Sequence, residues 1–107
     1  MRWYDSLSRR AEIAFVRRRG RASSYSTLTA YVAEPGGSRA RFCVTVSSAV
    51  GKAVVRNRVR RRIMGALDQL PAPGAPLRAV FVVKPGAGEA SYERIAADVA
   101  RALGART

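Results

Sequence analysis

AVVRNRVRRRIMGALDQL, Ala53 to Leu70, carries two patterns at once. On a helical wheel Val55, Val59, Ile63, Ala66, Leu67 and Leu70 fall within an arc of about 120°, wide enough to pack a helix against a sheet. The stretch therefore reads as a helix from near Ala53 to about Gln69. Inside it lies RNRVRRR, Arg56 to Arg62, with five arginines in seven positions. Asn57, Arg58 and Arg61 project opposite the apolar stripe, Arg60 and Arg62 flank them, and Arg56 sits near the apolar edge. Like charges at helical spacing repel, and no Asp or Glu occurs between Glu34 and Asp68 to neutralise them. Such a helix is core on one side and suited to a polyanion on the other. A solvated charged face is the competing interpretation.

The whole chain shares this bias. Its 107 residues include 20 basic and 7 acidic side chains, a net charge of +13. Lys52 and Lys84 are the only lysines, so the cations are nearly all arginines, whose planar forks grip phosphate in pairs and stack on bases. A hydrophobic content of 48% supports a folded core, and the length suits one domain spanning 1–107.

Composition also excludes functions. Histidine is absent and Cys43 is the sole cysteine, leaving no zinc set and no disulfide framework; Cys43 reads as a small strand residue. Asp5, Glu12, Glu34, Asp68, Glu89, Glu93 and Asp98 are scattered, whereas phosphodiester hydrolysis by a protein needs clustered carboxylates or a general base. No catalytic residue is therefore assigned to the chain. Gly51-Lys52 hints at a phosphate loop, but Val46 and Ala53 stand where that motif needs Gly and Ser or Thr. With no apolar run of the ~20 residues that span a bilayer and no signal-like N-terminus, the expected location is cytoplasmic, without a membrane partner.

Around the basic helix the expected order is α-β-β-α-β-α, an α+β two-layer sandwich on a small mixed sheet. A first helix runs from an N-cap at Ser8 to Arg19 and stops at Gly20. Ala11 and Phe15 share one of its sides, Ile13 and Val16 another. Ser24–Glu34 reads as a strand, Pro35-Gly36-Gly37 as a turn and Arg39–Ser48 as a second strand, together an antiparallel hairpin. Leu28, Ala30, Val32, Phe42, Val44 and Val46 form its core face. The opposite face carries Tyr25, Thr27, Thr29, Tyr31, Arg41, Cys43, Thr45 and Ser47, a mixture that suits stacking of single-stranded nucleic acid or plain solvation. After the breaker at Pro71–Pro76, Leu77–Lys84 is apolar on both faces, as in a central strand. A last helix from Ser91 to Gly104 turns Ile95, Val99 and Leu103 inward.

VSSAVGKAVVRNRVRRRI (Val46 to Ile63) resembles the strand-turn-helix signature of the protein subunit of bacterial ribonuclease P, a Val-Ser pair and a Gly preceding Ala-Val-x-Arg-Asn-Arg. Gly20-Arg21 after an amphipathic helix, Tyr31, and VVKPGAGEASYERI (Val82 to Ile95) extend the likeness over roughly residues 7 to 103. The resemblance implies a left-handed βαβ crossover through the arginine-rich helix. It implies a holoenzyme whose catalytic RNA subunit, with Mg2+, removes the 5′ leader of precursor tRNA, while the chain alone binds no cofactor and holds no metal. By position, Lys52, Arg56, Asn57, Arg58, Arg60, Arg61 and Arg62 would contact the catalytic RNA. Ile13, Phe15, Arg17, Tyr25, Tyr31, Thr45 and Ser47 would line a cleft for the precursor tRNA leader. Ser48-Ala49 and Met64 stand where the family carries basic residues, and Ile13 and Arg17 where it carries aromatic ones. The alternative is a ribosomal or other structural RNA-binding protein; a DNA-binding module and a stand-alone nuclease fit less well, because a strand precedes the helix and no acid cluster exists.

Overall fold

Arg78–Val83, the strand apolar on both faces, is the middle of the sheet in the computed structural model, which describes residues 3–33, 39–70 and 77–104. The elements are β1 (Tyr4–Ser6), α1 (Arg10–Arg19), β2 (Arg21–Ser24), β3 (Leu28–Ala33), β4 (Ala40–Thr45), α2 (Ala53–Gln69), β5 (Arg78–Val83) and α3 (Tyr92–Gly104). Short 3-10 turns occupy Ser48–Val50 and Pro85–Glu89. The sheet order is β1-β4-β5-β3-β2, with β1, β4 and β5 mutually parallel and β3 antiparallel to both β5 and β2.

The expected hairpin is corrected here. β3 and β4 do not pair; β5 lies between them. Ala79, Phe81 and Val83 enter the main core with α2 and α3, while Val80 is buried in a second cluster beneath α1. A strand with two apolar faces must lose water on both. That requirement outweighs the local turn signal at Pro35-Gly36-Gly37; this signal and the breaker at Pro71–Pro76 lie outside the described residues.

The resulting α+β fold has two principal layers, the five-stranded mixed sheet and the α2–α3 pair, with α1 across the other sheet face. α2 joins the parallel neighbours β4 and β5, the expected βαβ crossover. Val59, Ile63, Ala66 and Leu67 are buried and Val55 and Leu70 pack beside them, as the wheel requires. α3 buries Ile95 and Val99, and the Arg94 N–H donates to Ser91 Oγ at its start. α1 begins at Arg10, later than expected; Arg9 holds the capping position and Ser8 does not cap. Gly20 ends it, where a Cβ would collide with the Val16 carbonyl.

The expected strand Ser24–Glu34 is, over its described residues 24–33, not one strand but the end of β2, a tight reversal and β3. The Tyr25 N–H donates to the Leu28 carbonyl at 2.8 Å. Asp98 of α3, only 2% exposed, secures the reversal. Its Oδ2 accepts from the Thr27 N–H (3.0 Å), the Thr27 hydroxyl (2.6 Å) and the Ser26 hydroxyl (3.1 Å). Burial pushes this carboxyl up, but the Thr27 and Ser26 hydrogen bonds, aided by Arg94, hold it below the usual aspartate range.

Two edge strands extend the expected order. β1 carries little sequence signal in three residues, yet Tyr4 is buried edge-on against Phe42 and Trp3, and its hydroxyl donates to Asp68 Oδ1 at 2.8 Å. This ties the N-terminal edge of the sheet to α2.

Candidate nucleic-acid interface

Because α2 buries one stripe against the sheet, its remaining surface is fixed relative to the core. Gly51, at φ +151°, makes the turn into it; a Cβ there would also press on Val55 at 3.0 Å. Arg56 is half-buried and donates from Nη1 to the Gly51 carbonyl at 2.8 Å, clasping this turn. Lys52 is exposed at the helix start.

The arginines then divide. Arg62 Nη1 donates to the Ala90 carbonyl at 2.8 Å. Arg58 leans the same way, its Nη2 3.5 Å from the Gly88 carbonyl and its Nε buried without a partner. The wheel placed Arg58 with the outermost residues, but the 3-10 turn Pro85–Glu89 packs beside α2 and half-buries it. Asn57, Arg60 and Arg61 are left outward. Arg60 Nη1 donates to Asn57 Oδ1 at 3.2 Å, so the Asn57 oxygen is occupied and its NH2 makes no hydrogen bond among the described residues. Arg61 is exposed and makes none either among them. These three, with Met64, Gly65 and Asp68, line an open groove of about 510 Å³. Met64 gives the groove an apolar stretch where another cation was expected, and Ser48 and Ala49 are exposed just before the helix.

The second surface lies on the α1 side of the sheet. Register sets its floor in rows across β3, β5 and β4. Tyr31, Val80 and Cys43 form one row and Thr29, Val82 and Thr45 the next. α1 covers the first row with Val16 and Ile13, and the Arg17 guanidinium lies 5.4 Å from the Tyr31 ring centre. Cys43 is a partly buried free thiol packed in this cluster. Thr45 and Ser47 are exposed and lead along the chain toward Lys52 and α2. Phe15 is 39% exposed at the other end, its ring 5.1 Å from the Arg78 guanidinium carbon.

Tyr25 is not in this cleft. The reversal fixed by Asp98 turns it to the opposite sheet face, where it packs on the main core with the Arg101 guanidinium 5.9 Å away. Thr27 is buried beside it for the same reason. Strict alternation along a single strand misplaced both.

Glu12, Arg78 and Lys84 went unassigned in the sequence. Glu12 accepts from Arg41 Nη1 at 2.9 Å and from Arg78 Nη1 at 3.2 Å. The Arg41 hydrogen bonds hold its carboxyl below the ordinary glutamate range against partial desolvation, and Arg78 adds to that effect. Only the order of strands brings Arg41 and Arg78 side by side. Lys84 Nζ donates to Ser24 Oγ at 2.6 Å.

Four of the described acids sit in separate structural pairings: Asp5 with Arg39, Glu12 with two arginines, Asp68 with Tyr4, and Asp98 with Thr27. Among the described residues no three His, Cys, Asp or Glu side chains gather as a metal site. No helix among them is long and apolar enough to cross a membrane.

A model of the family described as Ribonuclease P matches residues 1–106. The chain belongs to the ribonuclease P family. A ribonuclease P protein component of Streptomyces bikiniensis is 39% identical, the alignment covering 92% of this chain and 89% of that protein. One from Thermus brockianus is 51% identical over 59% of this chain and 38% of its own length, so the match spans about two fifths of that longer relative. Two solved ribonuclease P proteins share the fold at 15% identity. That of Staphylococcus aureus superposes with a TM-score of 0.83, covering 100% of this chain and 97% of its own. The Thermotoga maritima protein gives 0.77, covering 92% and 94%.

Proposed function

We propose that this chain is the protein subunit of a ribonuclease P ribonucleoprotein that removes the 5′ leader from precursor tRNA in the cytoplasm. The catalytic RNA subunit docks on the outward face of α2, and the leader enters the cleft between α1 and the sheet. The observation that carries this reading is the Asn57, Arg60 and Arg61 surface of a ribonuclease P family member, cationic and unneutralised by its own helix apart from Asp68.

Arg60 and Arg61 bind phosphates in this account, releasing counterions, and the Asn57 NH2 donates to a base edge or sugar oxygen. The cleft supplies Tyr31, with Arg17 above it, as a stacking surface, and Thr45 and Ser47 as hydroxyl partners. The Thr45 to Lys52 connection, exposed at Thr45, at Ser47 to Ala49 and at Lys52, joins the two surfaces, so one RNA on α2 and a second strand in the cleft meet there. Mg2+ belongs to the RNA-protein assembly, where it supplies activation of water and charge stabilisation at phosphate.

Reconstitution tests this. Added to its catalytic RNA at limiting Mg2+, the chain should stimulate accurate 5′ cleavage of precursor tRNA. No stimulation over RNA alone would refute the proposal and favour a purely structural RNA-binding role. Cleavage by the chain without RNA would place the chemistry in the protein.

A further inference from the structure

The Phe15 end of the cleft holds a charge arrangement that leader stacking on Tyr31 leaves without use. Ala33, Arg78 and Arg41 are in register across β3, β5 and β4, the row next to Tyr31. Glu12 of α1 lies over this row, one oxygen accepting from Arg41 Nη1 and the other from Arg41 Nη2 and Arg78 Nη1. One carboxylate thus serves two guanidinium groups. Their side chains are 31% and 19% exposed and that of Glu12 is 23% exposed, so the cluster is partly screened but reachable from solvent. Arg78 remains incompletely satisfied, since its Nε is buried without a hydrogen-bond partner. The Phe15 ring over it is more than a third exposed.

A carboxylate and a phosphodiester offer a guanidinium the same pair of anionic oxygens. We infer that Arg41 and Arg78 form a phosphodiester subsite at this end of the cleft, occupied by Glu12 as an internal anion until an extended leader displaces it. The inference rests on the leader-binding proposal above and deepens it. Displacement costs the Glu12 contacts and gains bidentate phosphate contacts, while Phe15 stacks an adjoining base. A leader too short to reach the Arg78 row never meets Glu12. Glu12 is therefore a specificity-determining residue for leader length.

The test uses the reconstituted holoenzyme with precursor tRNAs bearing a minimal leader, an extended leader or none, read as the ratio of extended-leader to minimal-leader affinity. Glu12→Gln should raise that ratio roughly three- to tenfold and steepen the salt dependence of extended-leader binding by about 0.7 per phosphate gained. Arg78→Gln should lower the same ratio, which keeps the test decisive if either variant folds poorly. An unchanged ratio in both variants, or a lower ratio for Glu12→Gln, would overturn the subsite. Failure of the unmodified holoenzyme to prefer any leader over none would instead remove the leader proposal, and the subsite with it.

Discussion

Arg62 donates from Nη1 to the carbonyl of Ala90 at 2.8 Å, fastening α2 to the segment that leads into α3. An arginine inside the basic run is thus turned to protein, and its loss leaves a carbonyl short of a charged donor. Arg62→Ala should lower unfolding free energy by about 1–2 kcal/mol, whereas Arg61→Ala, on the open face, should stay within about 0.5 kcal/mol. Urea unfolding of the two variants checks this.

Asp98 links stability to pH. Its carboxyl is held low in the folded chain, so its stabilisation is complete above the unfolded value of ~3.9 and is lost as pH falls through the lowered folded value. Asp98→Asn should cost about 1–3 kcal/mol at neutral pH. The gap between the variant and the unmodified chain should narrow below about pH 4. Denaturant unfolding across that range measures it, and a constant gap would show that charge on Asp98 is irrelevant.

Gly51→Ala places a Cβ at positive φ and 3.0 Å from Val55. The expected loss is about 1–3 kcal/mol, seen as a lower melting temperature. Gly86→Ala, where nothing lies near the added methyl, is the comparison that should melt close to the unmodified chain.

Tyr31 and Tyr25 should separate cleanly. Tyr31→Ala should weaken leader-bearing substrate relative to leaderless tRNA by about 1–3 kcal/mol, the worth of one stacked base. Tyr25→Ala should reduce stability without changing that relative affinity, because Tyr25 lies against the core on the other sheet face. Paired binding measurements with the two RNAs decide it.

Much of this was legible in the sequence where one physical demand dominated. The α2 stripe had a single way to be buried, so Val59, Ile63, Ala66 and Leu67 were readable from spacing. β5 announced its central position by being apolar on both faces, yet the turn signal in the sequence between β3 and β4 suggested a hairpin that this very strand interrupts. What sequence could not supply were contacts set by tertiary neighbours. Asp98 on Thr27 redirected Tyr25, the 3-10 turn near Gly88 drew Arg58 inward, and Glu12 met Arg41 and Arg78 only through strand order. Each joins residues 29 to 71 positions apart, beyond the reach of periodicity.

The central claim is that the outward face of α2 binds phosphate through Arg60 and Arg61. Its most direct test is the salt dependence of association with the catalytic RNA, compared between the unmodified chain and the Arg60→Ala, Arg61→Ala double variant. The account predicts a weaker complex whose logarithmic salt slope is shallower by about 1.4–1.8, two phosphate contacts' worth. An unchanged slope with unchanged affinity would contradict it.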